Sequence, residues 1–120
     1  MSDKDRCCSL APYFKVHKGK LATFKKGCKK FIEQTRKEPG CLYYGFSFDG
    51  DVAHCREGYA DVDALLFHLE NVGAQLQEAL RIADLVRLEV HAPAAEMKKL
   101  KKALAGMKPQ FFTLEDGFRI

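Results

Sequence analysis

At 120 residues, with 47% hydrophobic residues, nine Phe and four Tyr, the chain suits one packed domain, which excludes general disorder. No run approaches the ~20 apolar residues that span a bilayer. The charged start Met1-Ser2-Asp3-Lys4-Asp5-Arg6 has no apolar signal core, so a cytoplasmic protein with no membrane partner is expected. The net charge of +4 is concentrated in Lys25-Lys26 with Lys29-Lys30 and Lys98-Lys99 with Lys101-Lys102. These fall on predicted helices opposite apolar stripes and read as solvated faces. No aromatic platform or motif accompanies them, so no nucleic-acid partner is expected.

In chain order, residues 8–17 read as a first strand, with Leu10, Phe14 and Val16 on one face and Tyr13, Lys15 and His17 on the other. Pro12 suits an edge or a bulge better than a strand centre. Residues 20–37 read as a helix, because Leu21, Phe24, Cys28, Phe31, Ile32 and Thr35 recur at helical spacing. Glu38-Pro39-Gly40 ends it, since Pro39 disfavours helix at Glu38.

Residues 41–48 form an aromatic second strand, Asp49-Gly50 signals a hairpin turn, and residues 52–59 return as a third strand. A turn at Asp49-Gly50 sets Leu42 opposite Glu57 and Tyr44 opposite Cys55. One face then holds Leu42, Tyr44, Phe46, Cys55, Glu57 and Tyr59. The other holds Tyr43, Ser47, His54 and Arg56.

Asp61 is a good N-cap for a helix whose stripe is Ala64, Leu65, His68, Leu69 and Val72. Asn71-Val72-Gly73 interrupts it, and residues 74–82 suit a further short helix. Residues 83–91 alternate as a fourth strand. Pro93 opens a helix through about Leu104, with Met97, Leu100 and Leu104 inward. Residues 110–114 suit a short last strand, and Phe111, Phe112, Leu114 and Phe118 are too apolar to be left in water.

The order strand, helix, strand, strand, helix, strand is the ferredoxin-like βαββαβ plait, an α+β fold. The domain is residues 1–120, with a plait at about 8–92 and a C-terminal extension at 93–120. Helices cover one sheet face, and a second copy of the same sheet is the simplest cover for the other. The five cysteines are odd in number and include no C-x-x-C, so neither a disulfide framework nor a metal site is expected. No phosphate-cradling glycine motif occurs, so no cofactor is expected.

The best candidate for a site is the stretch from Glu57 to His68. Glu57 and Tyr59 share a strand face, and His68 lies on the apolar stripe of the helix that follows. A carboxylate, a phenol and an imidazole then share one apolar space, with Tyr44, Phe46 and Leu65 as walls that would bind a substrate. His68 is the expected general base or proton shuttle. Tyr59 is the expected donor to a developing oxyanion, and Glu57 orients His68 or takes the proton itself. The competing reading is a core histidine satisfied by Glu57 or Tyr59.

Phe24 with Phe31, Thr35-Arg36-Lys37-Glu38-Pro39-Gly40-Cys41, and Glu57-Gly58-Tyr59 followed by Ala64 and His68 together resemble a known family. It is the antibiotic-biosynthesis monooxygenase-like domain of the dimeric α/β-barrel superfamily, and the likeness covers about residues 10–92. The resemblance implies a homodimer with facing sheets and a pocket between each sheet and its own helices. It implies oxygenation without metal or flavin as one chemistry among several. Haem-degrading relatives carry a Trp where this chain has His68, an Asn near the position of Pro12 and a ligating His where it has Gln77-Glu78-Ala79, so haem chemistry is disfavoured. The expected function is a cofactor-independent monooxygenase or related enzyme acting on a small aromatic or enolisable molecule. The alternative is a non-catalytic small-molecule-binding or stress-response dimer.

Overall fold

A computed structural model describes residues 5–120; the charged residues 1–4 of the sequence reading lie outside the described part. The chain runs β1 (Cys8–Val16), α1 (Leu21–Arg36), β2 (Cys41–Asp49), β3 (Val52–Tyr59), α2 (Val62–Asn71), α3 (Gly73–Ala79), β4 (Ala83–Pro93), α4 (Ala94–Leu104), a 3-10 turn (Ala105–Met107) and β5 (Gln110–Leu114). The sheet order is β2-β3-β1-β4-β5, antiparallel except for the parallel pair of β4 with β5. This is the expected ferredoxin-like plait, extended by α4 and a fifth strand.

Local chemistry sets the boundaries. Apolar residues at helical spacing make Phe24, Cys28, Phe31 and Thr35 the buried face of α1. The Asp61 carboxylate accepts the Ala64 N–H at 2.9 Å and caps α2. The extended Pro93, which ends β4, is the N-cap residue of α4.

The hairpin turn lies one residue further on than Asp49-Gly50. Asp49 pairs with Val52, so Gly50-Asp51 is the turn, and Tyr44 faces Glu57 while Phe46 faces Cys55. The slip from the expected register is two residues, an even number, so every side chain from Tyr43 to Asp49 keeps its expected face. Leu42 does not: a bulge between Cys41 and Tyr43 turns it outward, and it is exposed. Cys41 packs against the core in its place.

Pro12 sits in the central strand after all. It lacks an N–H to donate, and the β1–β3 pairing lapses between Leu10 and Tyr13. A β1–β4 register shift follows immediately, leaving Val86 exposed. The lapse is partly repaired by His54 Nδ1, 3.1 Å from the Pro12 carbonyl oxygen.

Two core clusters lie on the helical side of the sheet. One joins Leu10, Tyr59, Leu65, Val90, Leu100 and Leu104 under α2 and α4. The other joins Phe14, Val16, Phe24, Phe31, Ala53 and Val72 under α1 and α3. The opposite face has no helix. It carries Tyr13 stacked on His54, His91 stacked on Phe112, and Arg56 over the Tyr43 ring. A Cβ at Gly58 would collide with the Tyr43 ring, so only glycine lets that ring lie across the sheet.

The C-terminal extension packs only in part. Met97, Leu100 and Leu104 are buried, and Phe111 and Phe112 are half-buried. Leu114 is exposed and Phe118 is 88% exposed, contrary to the expectation that both would be covered. Arg119 ties the tail to Asp5 at 3.1 Å. All five cysteines are free, and burial lifts the Cys8 and Cys28 thiols to about 12, which makes both inert.

Candidate functional site

The seam between the two core clusters holds a buried polar chain. Tyr44 and Phe46 of β2 and Cys55, Glu57 and Tyr59 of β3 share the helical face through strand alternation. His68 reaches over them from the apolar stripe of α2, with its ring centroid 5.0 Å from Tyr59 and 5.3 Å from Tyr44. The Tyr59 hydroxyl donates to Glu57 Oε1 at 2.6 Å, and His68 Nε2 lies 3.4 Å from the same oxygen.

The other ring nitrogen has a partner that the sequence reading missed. His68 Nδ1 lies 2.9 Å from Glu38 Oε2, and Asn71 Nδ2 donates to that oxygen at 2.8 Å. Glu38 belongs to the turn after α1, where its N–H donates to the Thr35 carbonyl at 2.9 Å. Gly40 lets this turn touch α2, since a Cβ there would collide with the Ala64 Cβ. A carboxylate accepting from Nδ1 fixes the tautomer with the proton on Nδ1 and leaves the Nε2 lone pair toward Glu57.

Electrostatics follow from dryness. Burial raises the Glu57 carboxyl to about 7; its bonds from Tyr59 and Cys55 oppose the rise, and the Glu38 charge adds to it. Burial also pulls His68 below its ordinary value, while the bond to Glu38 and that residue's charge oppose the fall. The two directions agree: an apolar environment disfavours charge on either group. Near neutrality Glu57 is therefore able both to give and to take a proton. Burial also pushes the Tyr44 and Tyr59 phenols up, so both stay protonated.

A cavity of about 50 Å³ adjoins this chain, walled by Tyr44, Phe46, Glu57, His68, Leu69 and Met107 among others. No Lys or Arg lines it. Its volume suits a few water-sized groups, so a larger guest has to displace side chains. Met107 and Leu104 bring the C-terminal extension into the wall, which apolar spacing alone did not indicate.

Of the residues singled out in the sequence, Glu57, His68, Tyr44 and Phe46 line the cavity. Tyr59 does not line the cavity: it is fully buried, its hydroxyl is taken by Glu57 and its ring packs against His68. Leu65 is not a wall: one turn from His68 on α2, it is fully buried in the α2–α4 core cluster. Glu38 and Asn71 carried one weak signal, a carboxylate and an amide at the ends of helices that the Pro39-Gly40 turn brings together. The two carboxylates address opposite ring nitrogens, so they do not converge on one ion, and no metal-binding cluster occurs among the described residues.

This fold, with a site between sheet and helices, defines the class. The family model for antibiotic biosynthesis monooxygenase matches residues 10–76, and the chain belongs to that family. Among solved structures it is similar to MupZ from Pseudomonas fluorescens, with 50% identity and a TM-score of 0.94, covering 100% of this chain and 94% of that one. The C-terminal extension thus falls within the likeness to MupZ and outside the family match. A conserved protein from Methanosarcina mazei Go1, at 22% identity and a TM-score of 0.64, shares the fold over 72% of this chain and 89% of its own. No curated protein matches the chain.

Proposed function

We propose that this chain is an enzyme that moves a proton on a small, uncharged aromatic or enolisable molecule bound between sheet and helices. Cofactor-independent monooxygenation is the reaction to test first. The observation that carries the reading is the buried chain Tyr59–Glu57–His68–Glu38 opening onto an apolar cavity through Glu57 and His68. Glu57 takes the substrate proton, assisted by the Nε2 lone pair of His68. Glu38 holds the His68 ring and its tautomer, and Tyr59 holds Glu57. Tyr44 and Phe46 pack on the substrate. A cavity without Lys or Arg, lined by the Glu57 carboxyl, favours a neutral guest over an anion.

The functional unit in this reading is a homodimer joined through the open sheet faces. Tyr13, Tyr43, His54 and Phe112 stand on that face without a helix to cover them.

The test offers enolisable diketones and hydroquinones to the purified protein and follows two signals, oxygen uptake and deuterium exchange from heavy water. Exchange lost in Glu57→Gln and in His68→Ala supports a proton-transfer enzyme, and oxygen uptake with the same dependence supports monooxygenation. The small cavity favours a second reading, a binder without turnover. Saturable binding with neither signal would establish that alternative.

A further inference from the structure

Two buried polar atoms have no hydrogen-bond partner among the described residues: Thr35 Oγ1 and Glu38 Oε1. Thr35 is 1% exposed and Glu38 is 6% exposed, so bulk water does not satisfy them as they stand. An unmade bond at such a site is costly, and more so for a charged group. Native structures keep few of these atoms, and the usual explanation is a bound water.

Solvent lies close by. Both residues line a surface groove of about 300 Å³ at the edge of the sheet, together with Arg36, Cys41, Leu42 and Tyr43. Tyr44 lines this groove and the cavity, so its ring is the partition between them. Its phenol is near enough to Thr35 for a small shift to bond the two hydroxyls, so a direct Tyr44–Thr35 bond is the rival to a water there. Glu38 therefore has one oxygen on His68 and Asn71 and the other sealed beside the groove without a partner.

We propose that a small shift of Tyr44 lets a water molecule from the groove bond Thr35 Oγ1 and Glu38 Oε1, and that protons enter and leave the buried site through it. The water donates one hydrogen to Glu38 Oε1 and exchanges a second bond with the Thr35 hydroxyl. For a proton to leave, Glu57 gives it to the His68 Nε2 lone pair, the Nδ1–H bond breaks and an O–H bond forms on Glu38 Oε2, so the imidazole ends neutral. The carboxyl group turns about its Cγ–Cδ bond, and the proton passes to the water and on to groove solvent as hydronium. The reverse path returns one. A cavity with mostly apolar walls needs such a port, since a proton taken from a substrate must reach solvent before the next turnover. The water site stands on geometry alone; its role as a port rests on the acid–base reading.

The experiment needs no substrate. Protein with 15N-labelled histidine is followed by NMR, reading exchange of the His68 Nδ1 proton with water. The wild type should exchange fast, Thr35→Val should slow exchange by roughly tenfold or more, and Thr35→Ser should restore it. Equal rates in the three proteins would overturn the port. A high-resolution crystal structure supplies the second arm. A water within hydrogen-bond reach of both atoms supports the site, and a direct Tyr44–Thr35 bond with no water overturns it. Slow exchange in the wild type would also sink the port, even if the enzyme proves active. An inactive protein with a fast, Thr35-dependent exchange would sink the acid–base reading and leave the water site standing.

Discussion

His68 and Glu38 form a buried pair, Nδ1 to Oε2 at 2.9 Å, with both side chains almost fully out of water. The pair joins α2 to the turn after α1, so the two halves of the core meet through it. His68→Ala removes the neutral ring's bond to the Glu38 carboxylate, and leaving a buried charged group short of a bond costs about 1–3 kcal/mol or more. Urea melts at pH 7 should show a loss of about 2–3 kcal/mol, with the fold retained. A loss below about 1 kcal/mol, the size of an exposed pair, would show that the pair is not sealed from solvent.

The Glu57 shift sets a pH dependence of known sign. Its folded value of about 7 lies above the ordinary 4.5, so the folded state binds the extra proton in between. Its contribution is fully present below about 4.5 and is lost as pH rises through about 7, on the order of 3 kcal/mol at most. His68 acts in the opposite sense, because its lowered value costs stability as pH falls below 6.5. Glu57→Gln removes only the first effect. Its stability relative to wild type should therefore rise from pH 5 to pH 8 in denaturant melts. A difference that stays constant across that range would place the carboxyl in water.

Gly40 and Gly58 are close-approach positions with separable consequences. Gly40→Ala should push the turn off Ala64 and loosen the His68–Glu38 contact, lowering stability by about 1–3 kcal/mol. Gly58→Ala should lift the Tyr43 ring from the open sheet face and weaken the proposed homodimer. Sedimentation of the wild type at micromolar concentration should give twice the 13.6 kDa chain mass. The Gly58→Ala protein should shift toward monomer, and an unchanged dimer would place the interface elsewhere.

Truncation should divide the C-terminal extension in two. Removing residues 115–120 should leave the melting temperature within a degree or two, because Phe118 and Ile120 bury almost nothing within the chain. Removing residues 107–120 also strips β5 and the Met107 wall, and should lower it by about 4–8 °C for each kcal/mol lost, or somewhat less at this chain length. A large effect of the short truncation would mean that the tail packs on a second copy.

The element order and the convergence of Glu57 and His68 were legible in the sequence because they rest on local rules. Strand alternation puts Glu57 beside Tyr59 and Tyr44 on one face, and the α2 stripe carries His68 to that face. The register of the hairpin was not legible, since Asp49-Gly50 and Gly50-Asp51 both offer a turn. The even slip between them preserved the faces, and the bulge that turned Leu42 outward had no local mark. Glu38 was hidden because its place depends on where a helix ends and how closely Gly40 lets the turn approach α2. Leu65 was assigned to the cavity on its stripe, but packing against α4 decides its direction, and α4 is distant in sequence.

The most direct test of the buried acid–base chain is a carboxyl-carbon NMR titration of Glu57, read with the 15N shifts of His68 in the same protein. Glu57 should show a midpoint near 7, with His68 neutral, protonated on Nδ1 and titrating below its ordinary value. Glu38→Gln removes a like charge and should lower the Glu57 midpoint. A Glu57 midpoint in the ordinary carboxylate range, with His68 titrating freely near 6.5, would contradict the buried acid–base chain on which the proposed function stands.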